Sequence, residues 1–180
     1  MLQIDEPITV VTYDPVWPQL FEQEQAFVKA AFTHQAVEVQ HFGSTAAPGL
    51  SAKPIIDILV GLPELHLEAG QIEALAQLGY EYLGEAGVSG RLAFRKRRPQ
   101  AFNIAVVQWH NKLWRDNLLL RDYLRKHPQA ARRYEQHKVE VVGQGHTTLL
   151  SYSEQKKAVI EELLEQARIW DVGQGQAAEL

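Results

Sequence analysis

One stretch limits the folds open to this chain more than any other. It runs His41-Phe42-Gly43-Ser44-Thr45-Ala46-Ala47-Pro48-Gly49-Leu50 and continues Ser51-Ala52-Lys53-Pro54-Ile55-Ile56-Asp57-Ile58-Leu59-Val60. An alternating apolar segment, residues 36–42, leads into it and reads as a strand. Gly43 and Ser44 end that strand, and a loop of small residues and prolines follows. The run 54–60 is dominated by isoleucine and valine, the signature of a buried strand. One acid, Asp57, sits in its middle. An ionised carboxylate in a central strand costs several kcal/mol unless it is paired, hydrogen-bonded or metal-bound. Lys53, four residues earlier on the same face, is one candidate partner, and a metal ion is another.

The rest of the chain reads as alternating strands and helices. Residues 8–12 form a short β-branched run, expected to be an edge strand. Asp14-Pro15 predicts a helix start, and Trp17, Leu20, Phe21, Phe27, Val28 and Ala31 make one apolar stripe that runs to about Phe32. After Val60, Gly61-Leu62-Pro63 is expected to turn the chain. A helix carrying Leu65, Ile72, Leu75 and Ala76 ends at Gly79, and residues 80–83 form a short strand. Residues 91–96 and 101–107 predict a hairpin whose turn is Arg97-Arg98-Pro99-Gln100. Three helices follow, over about 112–126, 128–142 and 151–170. The last is predicted from the capping-box spacing of Ser151 and Glu154. The polar tail from Asp171 is expected to be disordered.

With 180 residues, the chain has the size of one domain with a real core. We divide it into a sheet-containing part (1–110) and a helical part (111–170), followed by the tail (171–180). A net charge of −4 gives no reason to expect nucleic acid or a membrane surface as a partner. No apolar run approaches the roughly 20 residues that span a bilayer. Cysteine is absent, which excludes disulfides, thiolate metal sites and a cysteine nucleophile, and suits the cytoplasm. Residues 1–6 lack the basic and apolar regions of a signal peptide. The seven histidines show no pair with zinc-ligand helix spacing, and neither a Gly-x-Ser-x-Gly elbow nor a P-loop is present.

Further marks accompany the central block. Val11-Thr12-Tyr13-Asp14-Pro15-Val16-Trp17-Pro18 comes first, with Phe21-Glu22 after it. Leu78-Gly79-Tyr80, Gly84-Glu85 and Leu120-Arg121-Asp122-Tyr123-Leu124-Arg125 follow. His127-Pro128, Tyr134 with Lys138, and Tyr152 with Lys156 complete the set. Their order and number, from about Val11 to Ala167, resemble the GrpB-like family, related to the nucleotidyltransferase superfamily. The resemblance implies an α/β (α+β) fold: a nucleotidyltransferase-like mixed sheet with flanking helices and a C-terminal helical segment. It also implies Mg²⁺-dependent transfer of a nucleotidyl group from a nucleoside triphosphate to a small acceptor. In such a site the Gly-Ser turn holds phosphates and strand carboxylates hold the metal.

The candidate residues follow from that frame and from their own chemistry. Gly43 allows close backbone approach, and Ser44 and Thr45 offer hydroxyls to a phosphate; an ordinary serine-capped turn is the plain alternative. Asp57 is the candidate catalytic residue and Mg²⁺ ligand. By analogy with the transferases, Lys138 and Lys156 are candidate phosphate contacts, each four residues after a tyrosine on one helix face; snorkelling surface lysines are the alternative. Arg91 and Arg95 share a strand face in the concentrated basic run 91–98. That run also fits a solvated hairpin tip, or a contact to RNA or DNA supported by this one short patch alone. His41, Lys53 and Asn103 complete the candidate substrate-binding set, for a nucleoside triphosphate or another phosphorylated small molecule. Arg121 and Asp122 are expected to form a structural pair between packed helices.

The pattern departs from an active transferase in two places. Leu59 stands where a second strand acid is expected, and the neighbouring segment 103–107 contains no acid; the resemblance to the GrpB-like family also implies a histidine near the end of this strand, where this chain has Ala105. Glu38, Glu85 or His41 are the remaining groups that could complete a metal site. A module that binds nucleotides or phosphorylated metabolites without reacting is therefore the alternative function.

Overall fold

The computed structural model describes residues 5–32, 35 and 37–178. Five strands form one mixed sheet: β1 (Glu38–Phe42), β2 (Ile56–Leu62), β3 (Glu81–Tyr82), β4 (Arg91–Lys96) and β5 (Phe102–Gln108). Their spatial order is β1-β2-β5-β4-β3. Only the β2–β5 pairing is parallel; the other three are antiparallel. Among the described residues the α-helices are α1 (Trp17–Ala30), α2 (Ala69–Gln77), α3 (Lys112–Lys126), α4 (Pro128–Gly143), α5 (Leu149–Gln155) and α6 (Lys157–Ala178). The expected α/β architecture with a C-terminal helical segment is the one observed.

The strands separate two faces by their period of two. Ile56, Ile58, Val60 and Leu62 of β2 join Phe102, Ile104 and Val106 of β5 in the main core, under Trp17, Phe21 and Val28 of α1 and Leu75 of α2. On the other face Leu59, Ala105 and Val107 meet Trp114 of α3. Both faces of β2 are covered, which explains why its sequence is continuously apolar rather than alternating. A third cluster, with Leu50, Tyr123, Tyr134 and Leu163, ties the loop after β1 to the helical segment. Among the described residues no helix is long and apolar enough to cross a membrane.

Several expected elements are corrected. Residues 8–12 form no strand; they make isolated bridges instead, Pro7 to Thr148 and Val11 to Ala52. The Asp14 carboxylate accepts the Val16 N–H at 2.9 Å, and α1 begins two residues later than its proline suggested, at Trp17, and ends at Ala30. Residue 36, the predicted start of β1, lies outside the described residues. Gly61 and Leu62 belong to β2 rather than to a turn, because they pair with Val107 and Gln108 of β5. The last helix is two helices broken at Lys156, and α5 starts at Leu149, ahead of the Ser151 spacing. The stretch after Asp171 continues α6 as far as Ala178. By contrast, α3 occupies the predicted span, and β4 and β5 form the predicted hairpin.

Candidate functional site

A cavity of about 180 Å³ opens between the sheet and the helical segment. Its floor is the end of β1 and the start of β2. Antiparallel pairing sets Phe42 opposite Asp57, which brings the turn after β1 beside the acid of β2. Gly43 makes that turn with φ +73°, and a single 3-10 turn, Ser44–Ala46, follows. A β-carbon on Gly43 would lie 2.8 Å from Asp57 Oδ2. Glycine is therefore required twice, for the left-handed backbone and for the approach to the carboxylate.

Asp57 Oδ1 accepts a hydrogen bond from Asn103 Nδ2 at 2.8 Å. The orientation of that amide is set from behind, because Arg97 Nη2 donates to Asn103 Oδ1 at 3.0 Å. Arg97 in turn pairs with Glu6 at 2.5 Å. Among the described residues no cation forms a direct ion pair with Asp57. Lys53 and Lys156 act on it through space, and both line the cavity. The Lys53 ammonium is pushed below its ordinary pKa, chiefly by burial. Lys156 Nζ stands 4.3 Å from the centroid of the Tyr152 ring. Burial lowers it to about 8, against the opposing pull of Asp57.

Lys138 stands one layer deeper. Its residue is 0 % exposed and does not line the cavity. Nζ lies 3.2 Å from Ser44 Oγ, donates to the Ser51 carbonyl, and sits 4.7 Å from the Tyr134 ring centroid. Burial lowers its pKa to about 7, and the Lys156 charge adds to the shift. The Tyr134 hydroxyl, also buried, hydrogen-bonds Ser44.

The predicted residues thus divide. Gly43, Ser44, Thr45, Lys53, Asp57 and Lys156 are brought together around the cavity. Asn103 and Lys138 support it from behind, through Asp57 and Ser44. His41, Arg91 and Arg95 do not line it. His41 is stacked on Phe21 with centroids 4.8 Å apart, and its Nε2 lies 2.9 Å from Thr45 Oγ1. Arg91 Nη2 donates to the carbonyls of Glu85 and Ala86, and Arg95 pairs with Glu81 at 2.6 Å. The other groups weighed for a metal are occupied elsewhere: Glu38 accepts from Gln40, and Glu85 from the Gly90 N–H.

The sequence reading missed Arg121 and Asn117, both of which line the cavity. Arg121 does pair with Asp122 at 2.8 Å, but on its own helix rather than between helices. Its Nη1 reaches back to Gln40 Oε1 and the His41 carbonyl at 2.9 and 3.0 Å. Asn117 gave a usable signal: it is the polar member of the stripe Leu113, Asn117, Leu120, Leu124, whose last three residues all face the cavity.

Chemically, the lining carries three cationic side chains, Lys53, Lys156 and Arg121, and one acid, Asp57. Among the described residues no cluster of three or more His, Cys, Asp and Glu could hold a metal. Two metal ions do not fit one carboxylate whose Oδ1 is already engaged. A single Mg²⁺ does fit, with Asp57 as its one protein carboxylate and waters or ligand phosphates in its other positions.

Comparison with known proteins agrees with this architecture. The family profile described as GrpB protein matches residues 7–166. The glutamate-rich protein GrpB of Alkalihalophilus pseudofirmus is 31 % identical over 163 residues, covering 87 % of this chain and 94 % of that protein. A UPF0157 protein of Pseudomonas aeruginosa is 34 % identical over 169 residues, covering 91 % and 69 %. The crystal structure of conserved protein GrpB from Enterococcus faecalis superposes with a TM-score of 0.77 at 32 % identity, covering 90 % of this chain and 99 % of that one. A cytoplasmic RNA terminal U-transferase has a TM-score of 0.50 at 17 % identity, over 73 % of this chain and 40 % of its own. That likeness is one of fold, the nucleotidyltransferase-like sheet. The chain belongs to the GrpB family.

Proposed function

We propose that the cleft binds a nucleoside triphosphate, or another phosphorylated small molecule, through its phosphates. The observation that carries this reading is the excess of cationic side chains around a hydroxyl-bearing turn: Lys53 and Lys156 face a single acid, and Arg121, paired with Asp122, completes the lining. In this reading Ser44 and Thr45 face the phosphate oxygens, and Lys53 and Lys156 neutralise them. A half-buried ammonium gains far more from an anion than one in open water, because the local dielectric is low. Asp57 holds one Mg²⁺ shared with the phosphates. The cysteine-free composition suits action in the reducing cytoplasm.

A second reading, Mg²⁺-dependent nucleotidyl transfer to a small acceptor, is favoured by one further observation. Asp57 Oδ2 points at the turn that would carry the phosphates, so Asp57 is the residue that would hold a metal there, and the metal would supply charge neutralisation. The single carboxylate is the reason that binding stands first and transfer second.

Isothermal titration with the four ribonucleoside triphosphates, with and without Mg²⁺, tests the binding reading and the metal requirement on which the second depends. Binding that requires Mg²⁺ and is lost in Asp57→Asn supports the metal–triphosphate site. Binding independent of Mg²⁺ supports a module without a metal. Absence of any binding removes the nucleotide reading.

A further inference from the structure

Lys138 has no evident use in holding a ligand, since it is fully buried and separated from the cavity by Ser44. A lysine in that position costs stability unless something is gained from it. What it touches is informative. Nζ lies 3.2 Å from Ser44 Oγ and donates to the Ser51 carbonyl. Ser44 Oγ is also hydrogen-bonded to the Tyr134 hydroxyl. Ser44 itself is half-buried and lines the cavity. One hydroxyl therefore faces the ligand space with an amine behind it, while the Tyr134 side chain belongs to the cavity lining beside it, the arrangement of a nucleophile next to its base.

We propose that Ser44 is a nucleophile, with Lys138 as its general base, that attacks a phosphorus of a phosphoric anhydride bound in the cleft. This rests on the phosphate-binding reading above and supplies an acceptor for it. In the step, the Ser44 Oγ–H proton passes to Lys138 Nζ and an Oγ–P bond forms. The bridging P–O bond breaks, and its electron pair leaves with the departing group. Attack at the α-phosphorus of a nucleoside triphosphate releases pyrophosphate; attack at the γ-phosphorus releases the nucleoside diphosphate.

The surroundings keep Lys138 fit for this role. A protonated lysine has no lone pair to accept the serine proton. Burial and the nearby charges of Lys156 and Lys53 disfavour the protonated form and outweigh the opposing Glu135 carboxylate, lowering the pKa to about 7, so a share of the free amine is present at neutral pH. A neutral amine has two N–H donors and one lone pair, which suits donation to Ser51 and acceptance from Ser44.

The test is intact-mass spectrometry and peptide mapping of the full chain after incubation with each nucleoside triphosphate, and separately with a fluorophosphonate probe that needs no nucleotide. A nucleotidyl or phosphoryl adduct on Ser44 is expected. Ser44→Ala should abolish it. Lys138→Met, which removes the amine but keeps the length, should slow labelling at least 100-fold while titration still detects nucleotide binding. The wild-type labelling rate should rise with pH to a plateau above about 7. Nucleotide binding without an adduct on Ser44 overturns the inference and leaves the binding reading intact. Absence of nucleotide binding removes that reading, and the fluorophosphonate arm then decides: an unlabelled Ser44, or labelling unchanged in Lys138→Met, overturns the nucleophile.

Discussion

Asn103 Nδ2 donates to Asp57 Oδ1 at 2.8 Å, across the one parallel pairing of the sheet. The two residues are direct partners in register. An acid at 103 would present a second carboxylate to a metal; the amide presents a donor. Arg97 fixes that choice by donating to the other end of the same amide. One carboxylate thus faces the cleft, held by a hydrogen-bonded chain that runs from Glu6 through Arg97 and Asn103 to Asp57.

Restoring an acid should expose that logic. Asn103→Asp sets two carboxylates at hydrogen-bond distance with no proton between them, while Arg97 keeps its acceptor. We expect a loss of about 1–3 kcal/mol in metal-free buffer, the cost of an unsatisfied buried polar contact. Mg²⁺ should recover it and produce a thermal shift larger than in the wild type. Melting curves with chelator and with Mg²⁺ check this; an unchanged response to Mg²⁺ would show that the position cannot join a metal site.

Gly43 is predicted to be irreplaceable for a reason that separates it from other glycines. Gly43→Ala combines a positive φ with a contact of 2.8 Å to Asp57 Oδ2. Gly49 has φ +81°, but a β-carbon there meets nothing within 4 Å. Gly49→Ala should cost about 1 kcal/mol, from backbone conformation alone. Gly43→Ala should cost about 1–3 kcal/mol more, because the carboxylate must also shift, and should weaken nucleotide binding where Gly49→Ala does not. Urea unfolding and titration of the two variants provide the comparison.

Local signals in the sequence carried the elements well, and long-range ones carried the site poorly. The α3 span and the β4–β5 hairpin follow from apolar periodicity and turn residues close in sequence. Tyr134–Lys138 and Tyr152–Lys156 were visible as pairs four apart, and both lysines do sit against their tyrosine rings. That one lysine lines the cavity and the other lies behind Ser44 depends on how α4 and α5 pack against the loop after β1, which no spacing reports. Gly61-Leu62-Pro63 read as a turn because β5, which continues the ladder there, lies more than forty residues away. Arg121 read as structural because its neighbour Asp122 gave it a partner; its reach to β1 is a tertiary fact.

Lys156 should make anion binding depend on pH. Its pKa in the free protein is lowered to about 8 by burial, and a phosphate bound beside it would favour the charged form. Affinity should therefore be greatest below pH 8 and fall as pH rises through that value. Lys156→Met should lower affinity about tenfold at pH 7, equivalent to about 1.4 kcal/mol, and flatten the profile between pH 7 and 9. Titrations across that range read both effects; a parallel profile in the variant would assign the dependence to another group.

His41 gives the fold its own acid sensitivity, distinct from the chemistry of the cleft. The ring is 6 % exposed, stacked on Phe21 and bonded to Thr45. Burial lowers its pKa from 6.5 to about 4; Asp57 opposes the shift, and Arg125 and Arg121 reinforce it. Between pH 6.5 and 4 the unfolded chain holds more protons at this residue than the native chain does. Stability from this group is therefore complete above pH 6.5 and is lost as pH falls through that window, by about 3 kcal/mol over the whole range. His41→Gln removes the titration and keeps a side chain able to hydrogen-bond Thr45. The variant should lose less stability than the wild type between pH 7 and 4.5, the difference amounting to about 2–3 kcal/mol. Denaturant unfolding at the two pH values measures it. Equal acid losses in both proteins would mean that His41 is already protonated in the fold, with its charge satisfied by Asp57 across the β1–β2 pair.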